Sequence, residues 1–428
     1  MSEELHRQEL CRGVALSTVT DAKFKSNRIS CNILIPLSWE TAAVNAIVPF
    51  ILRRRFASCP DFTRLNERLC ELYGASLDGD VRKYGGYQIV NLSIQGLDDR
   101  FTLKGEPMVR ECCELICDML LDPYLEDGAF SAVDTRLEIT NLVDTIQAEV
   151  NDKRDYAVSQ CASLLFEGEP FAVKKYGREE DALAITPASA AQAWRQMLRT
   201  CPVEIMFIGS GSSGAAAEIF RRRFEAVERQ PMPYRPAPVS APLREPRWRT
   251  EHMDVKQGKL VLGFRTGELR TERELNAMKM MSALWGGTPF SRLFVHVRER
   301  LHLCYYCASR YDRASGSILV DSGVEFENRE KAEEEILHQL EAVKNGEFTD
   351  EELENTVLYL VNGLKSTTDT LGGMENWYLT QLLAGSGRTP MENAAQIREI
   401  TRREIMDAAA GLRLDTVYFL AGKEEEHE

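Results

Sequence analysis

The chain has 428 residues, of which 44% are hydrophobic and 28% charged, a composition that excludes disordered and collagen-like architectures. Lysine and arginine total 52 against 66 aspartates and glutamates, a formal net charge of -14, so neither nucleic acid nor an anionic membrane surface is an expected partner. At roughly 150 residues per domain, the length points to two or three domains.

The most apolar stretch near the N-terminus, Thr41 to Leu52, is interrupted by Asn45 and Pro49. It falls short of the ~20 apolar residues a spanning helix needs. The first ten residues, MSEELHRQEL, are charged and carry no apolar signal core. The 11 cysteines, an odd number, read as thiols of a reduced, cytoplasmic protein rather than a disulfide framework.

In chain order, Thr63-Arg64-Leu65 opens a helical pattern with Leu65, Leu69 and Leu72 on one face. Strand-like runs follow at Arg82-Lys83-Tyr84 and from Gln88 to Ile94. Cys112, Cys113 and Cys117 lie in an apolar helix as core thiols. Thr186, with Pro187 at the first helical position, caps a helix running to Leu198, and Val203 to Gly209 follows as a strand. Gly209 to Gly214 (GSGSSG) lacks the lysine and spacing of a phosphate loop and is expected to be a strand-to-helix turn. Residues 231–246 hold six of the chain's 16 prolines. Proline denies this segment both helix and sheet interior, so it is an extended linker.

Beyond the linker, Thr271 and Glu274 form a capping box for a helix from Glu272 to Leu284. Its Leu275, Met278, Met281 and Leu284 share one stripe, expected to be core. Ser291-Arg292-Leu293 opens another helix. Cys304-Tyr305-Tyr306-Cys307 sits in a β-like run, where positions three apart point to opposite faces, against a redox or metal pair. Strand-like runs at Ser309-Arg310-Tyr311 and from Ser317 to Val320 come next. Thr401 with Glu404 makes a second capping box, on a helix running to Leu412, and Val417 to Gly422 closes the series.

The two sides of the linker repeat one another. Leu65 to Tyr84 spans 19 positions and Leu293 to Tyr311 spans 18. Ile185-Thr186 then Leu198-Arg199 matches Ile400-Thr401 then Leu412-Arg413, each followed by an apolar strand. The expectation is a duplication: a first α+β lobe over residues 1–228, a linker over 229–249, and a second α+β lobe over 250–428. Each lobe is a mostly antiparallel sheet packed by helices. No two of the six histidines stand three or four apart, so no helix-borne zinc motif exists.

The duplicated halves, the linker and the run Ser291-Arg292-Leu293-Phe294 followed by Arg298 and Tyr305 together resemble the pitrilysin/insulinase family of zinc peptidases. That family includes the mitochondrial processing peptidase and the core subunits of the cytochrome bc1 complex. Leu72-Tyr73-Gly74-Ala75, Phe166-x-Gly168-x-Pro170, Tyr176-Gly177 and Ile185-Thr186 extend the likeness across the chain. The resemblance implies two homologous lobes facing one another as a clamshell. It also implies that Arg298 and Tyr305 bind peptide substrate, their fork and phenol holding a carbonyl and the developing oxyanion.

Active members carry H-x-x-E-H on the first helix of the first half. Both histidines and a distal glutamate hold zinc, and the motif's glutamate is the general base. Here the aligned positions are Ala46, Pro49 and Phe50, or three residues later Pro49, Leu52 and Arg53. Neither histidine nor glutamate occurs anywhere between residues 41 and 66. Glu138 matches the first glutamate of the distal helix, and Thr145 stands where the ligand belongs. The glycine-rich substrate loop of the mitochondrial non-catalytic subunit is reduced to Trp285–Ser291.

The closest likeness is to bacterial members that occur as paired chains, one carrying the metal motif and one lacking it. The resemblance therefore implies a catalytically inactive, peptide-binding subunit with no cofactor of its own and no membrane partner. A homologous partner bearing H-x-x-E-H would hold the zinc. The alternative is a non-enzymatic scaffold or peptide-binding protein of the same fold. A self-sufficient peptidase would require an unrecognised metal site.

Overall fold

A computed structural model describes residues 4–239 and 245–423. The linker's residues 240–244 lie outside the described residues.

The first half runs β1 (His6–Cys11), β2 (Val14–Thr20), β3 (Ser26–Pro36), α1 (Trp39–Leu52), α2 (Phe62–Glu71), β4 (Ser76–Tyr84), β5 (Tyr87–Leu97) and α3 (Met108–Leu121). A two-residue ribbon, β6 (Leu125–Glu126) and β7 (Ala129–Phe130), leads to α4 (Ala132–Ala148), α5 (Lys153–Leu165), α6 (Glu179–Leu183), α7 (Pro187–Thr200), β8 (Val203–Gly209) and α8 (Gly214–Glu225). The second half runs β9 (Arg247–Met253), β10 (Gly258–Arg265), α9 (Glu272–Ser282), β11 (Cys304–Asp312), β12 (Ser317–Val324), α10 (Arg329–Lys344), α11 (Asp350–Thr367), α12 (Leu371–Leu383), α13 (Pro390–Arg398), α14 (Arg402–Gly411) and β13 (Arg413–Gly422).

The duplication is visible in the strand order. One sheet reads β1-β2-β8-β3-β5-β4 and the other β9-β13-β10-β12-β11. Without β1 the two orders correspond strand for strand. In both sheets a single parallel pair, β2 with β8 and β9 with β13, sits beside otherwise antiparallel neighbours. The fold is thus α+β, with two homologous, antiparallel-rich units.

Packing divides the chain differently from the linker. Of the described residues, those within 1–147, 173–236 and 367–389 form the first unit, and those within 148–172, 237–366 and 390–428 form the second. Each half of the sequence therefore lends one helix to the unit built by the other half. In the first unit α1, α3, α7 and α8 cover one sheet face, burying Ile29, Cys31, Ile33, Val90, Leu92, Ile205 and Phe207. The lent helix α12 covers the other face, with Met374 and Tyr378 on Met206 and Ile208 and with Leu379 and Leu383 on Leu34 and Ile89. Between these patches the fully buried Glu375 pairs with Arg28 and accepts from Asn91 at 3.3 Å.

The second unit is layered the same way. Lent helix α5 lays Ala157 and Cys161 on Val261, Tyr418 and Leu420. Its Arg154 pairs with the buried Asp321, and its Tyr156 joins Tyr418 in donating to Glu251 at 2.8 and 2.7 Å. On the opposite face Phe264 meets Trp285 edge-on, with ring centroids 5.3 Å apart.

Candidate functional site

The degenerate metal positions lie on α1. Ala46 and Pro49 are buried and Phe50 is half-buried. The helix leans on β4 at Gly79, where a Cβ would stand 2.9 Å from the Pro49 carbonyl oxygen. At the C-terminal end of α1 three consecutive arginines reach outward, each to a carboxylate. Arg53 bonds Asp78 at 2.7 Å, Arg54 pairs with Glu138, and Arg55 pairs with Asp134 and bonds Ser131 at 3.0 Å.

These contacts test whether the site fits zinc. Glu138 is the one carboxylate that survives from the family pattern, and it is buried. One oxygen accepts from Arg54 and the other from Asn141 at 3.1 Å. Thr145 is exposed, and its hydroxyl donates to the Asn141 carbonyl at 2.7 Å. Alanine, proline and phenylalanine offer no ligand atom, so the residues present do not fit the metal. Among the described residues no three His, Cys, Asp or Glu side chains converge as a metal site. The Arg53-Arg54-Arg55 run and the i,i+4 acids Asp134 and Glu138 were in the sequence. The motif pattern picks out Glu138 and, in its later register, Arg53, but not the pairing of these groups.

The second site lies in the second unit. Arg298 and Tyr305 are placed there by two turns of widened, π-type helix, Ala283–Gly287 and Phe294–Arg300, on either side of a turn through Thr288 and Pro289. Such widening is rare and clusters at functional positions. Within Ser291-Arg292-Leu293-Phe294 the first three residues are structural. Leu293 is core, and Arg292 is buried, bonded to Gln339 at 3.0 Å and Glu352 at 3.2 Å. Arg298 instead faces outward, with its guanidinium over the Phe294 ring at 4.7 Å and 3.5 Å from Glu299.

Tyr305 is 61% exposed on β11, the outermost strand of its sheet. Its hydroxyl donates to Glu325 at 2.7 Å. The Glu325 carboxylate, by accepting that bond, pushes the phenol above its ordinary value, so Tyr305 stays a neutral donor. No hydrogen bond joins Arg298 to Tyr305 among the described residues, although the two segments pack together.

The strand register corrects one expectation. Cys304 and Cys307 were to point to opposite faces, yet both are buried. The pairing of β11 with β12 slips between Cys304 and Tyr306, a bulge that adds a residue and restores the same face. The bulge also turns Tyr305 out to solvent. The Cys307 hydrogen bond lowers the Cys304 thiol, while burial raises that of Cys307.

The Gly209–Gly214 turn is closed by its own neighbours. Gly211 N–H donates to Asn27 at 2.9 Å and Arg100 donates to the Ser210 carbonyl at 3.3 Å. Met278, Met281 and Leu284 are core, as their stripe implied, whereas Leu275 at the start of the stripe is half-buried. Among the described residues no helix is long and apolar enough to cross a membrane.

Comparison with known proteins agrees with this geometry. A family model described as "Peptidase M16 inactive domain" matches residues 184–360. A Bacillus subtilis (strain 168) protein named "Probable inactive metalloprotease YmfF" is 28% identical over 413 residues, covering 96% of each chain. The crystal structure of a conserved protein from Enterococcus faecalis V583 superposes with a TM-score of 0.90 at 27% identity, over 99% of this chain and 100% of that one. The peptidase M16 inactive domain structure from Pseudomonas fluorescens has the same fold, with a TM-score of 0.76 at 16% identity over 98% of each chain. By these comparisons the chain is similar to inactive, M16-type (pitrilysin-like) peptidase homologues.

Proposed function

We propose that the chain is the peptide-binding, non-catalytic subunit of a heterodimeric zinc metallopeptidase, working in the cytoplasm beside a homologous partner that carries H-x-x-E-H. The observation that carries the reading is a contrast between the two units. The α1 positions offer no metal ligand, while Tyr305 stays exposed and neutral on an edge strand beside the Arg298 helix. The partner's zinc would supply the Lewis acid and the hydroxide.

In this reading the residues of this chain do the holding. The open edge of β11 pairs with an extended peptide, for which backbone hydrogen bonds give affinity with little sequence preference. Tyr305 leaves Glu325 to donate to the peptide carbonyl as negative charge develops on it. Arg298 slides from Phe294 to bond a neighbouring carbonyl through its fork. All 11 cysteines are unpaired, which supports a reducing compartment.

The test is a tagged pull-down from native cells, with the recovered chains identified by mass spectrometry. Stoichiometric recovery of a similar-sized chain bearing H-x-x-E-H supports the reading. Recovery of this chain alone removes catalysis from its role. A scaffold or peptide-binding role is the second reading, favoured by the internal partners that Arg298 and Tyr305 already have in Glu299, Phe294 and Glu325. On that reading, replacing both residues leaves the activity of any recovered complex unchanged.

A further inference from the structure

The first unit holds a cavity of about 670 Å³ between the N-terminal half of α1 and α7, capped by Met232 at the start of the Pro-rich segment. That volume lies in the range that accommodates a small organic molecule. Its apolar walls come from Ile35, Val44, Ile185 and Met197. The charged groups among its lining residues, Glu40 at the rim and Asp181 on α6, are both acidic.

Two polar groups in the lining lack partners. Asp181 has an enclosed carboxylate oxygen that accepts no hydrogen bond among the described residues. Asn45 is only 6% exposed, lines the cavity, and makes no side-chain hydrogen bond among the described residues. Asn45 sits mid-helix on α1, where an apolar residue would pack the same wall. A carboxylate oxygen enclosed without a donor beside apolar walls is costly, and a donor bound in the cavity would offset that cost.

We propose that this cavity is a binding site for a small organic cation with an apolar body, an alkyl- or arylalkyl-ammonium. The ammonium would donate to Asp181 and to the Asn45 carbonyl oxygen, and the hydrocarbon would lie along Val44 and Met197. The site is independent of Arg298 and Tyr305, which belong to the other unit.

The test uses the full chain and three probes that share one body: 4-phenylbutylamine, 4-phenylbutanol and 4-phenylbutyrate. Titration calorimetry is expected to show the amine binding about tenfold or more tighter than either of the others, one charge-assisted hydrogen bond's worth. Asp181→Asn is expected to erase that preference without unfolding the chain, because the oxygen it replaces has no partner to lose. With methyl-labelled methionine, the amine should shift the Met197 and Met232 resonances in the unmodified protein. Equal binding of the three probes, no saturable binding, an unchanged preference in Asp181→Asn, or unmoved Met197 and Met232 methyls would each overturn the proposal.

Discussion

At the scale of single residues, the α1 site shows how a buried carboxylate is held by protein partners alone. Glu138 remains in a buried position, and its negative charge needs a partner whether or not a metal is present. Arg54 and Asn141 supply it. Removing Arg54 should therefore destabilise the chain more than a surface substitution does. Arg54→Ala is expected to cost about 2–3 kcal/mol, at or below the low end for a broken buried pair because Arg54 itself is partly exposed. The double variant Arg54→Met with Glu138→Leu should recover most of that loss; urea unfolding checks both. A cost below ~0.5 kcal/mol for Arg54→Ala would show that the pair is a surface contact.

Glu404 gives a residue-scale statement about pH. Its carboxylate accepts from Arg273 and from the Thr401 backbone and side chain, which holds its pKa down to about 2 from an ordinary 4.5. A folded value below the ordinary one stabilises the fold fully above about pH 4.5 and loses that contribution as pH falls toward 2. Glu404→Gln should cost on the order of 1 kcal/mol at neutral pH, as the loss of a capping partner does. The difference from the unmodified chain should shrink steadily as pH falls through the folded value of about 2. A pH-independent difference would assign the effect to packing instead.

At the scale of elements, the lent helices α5 and α12 are docked alike, by an apolar stripe interrupted by arginine pairing to a buried carboxylate. Apolar contacts alone tolerate sliding, whereas Glu375 meeting Arg28 and Asn91 specifies where α12 sits. Glu375→Ala leaves the Arg28 charge with only the Ser93 hydroxyl as a partner and is expected to cost about 3 kcal/mol. Hydrogen exchange should then rise first in α12. Uniform exchange changes throughout the first unit would contradict a local docking role.

The same scale shows what the sequence made legible. Capping boxes at Thr271 and Thr401 were readable because they depend on residues three apart, and the helix after Thr186 because Pro187 adjoins its cap. At Thr186 the box closes through Ser189, a partner the pattern did not single out. The bulge at Tyr305 and the widened turns around Trp285 and Phe294 were not readable. Each adds one residue against a partner strand or turn, and the partner's register is not written in the local pattern. Alternation alone therefore misassigned the faces of Cys304 and Cys307.

For the whole molecule, the repeat was legible because matching strand-helix spacings recur on both sides of the Pro-rich segment, and the two sheets share one strand order. The exchange of α5 and α12 between the units was not. Each lent helix has an ordinary amphipathic composition that names no particular sheet as its cover. The absence of histidine and glutamate between residues 41 and 66 is a fact of the sequence and needs no structure. The arginine clamps that neutralise the remaining acids required it.

The functional account rests on Arg298 and Tyr305 acting on a peptide bound at a partner's zinc. The most direct test is to purify the complex through a tag on this chain and compare peptidase kinetics of the unmodified protein with Arg298→Ala and Tyr305→Phe. The account predicts intact assembly, zinc confined to the partner, and kcat/KM lower by about 10²–10³ for each substitution, as for loss of an oxyanion donor. Unchanged kcat/KM in both variants, or stoichiometric zinc in this chain purified alone, would contradict it.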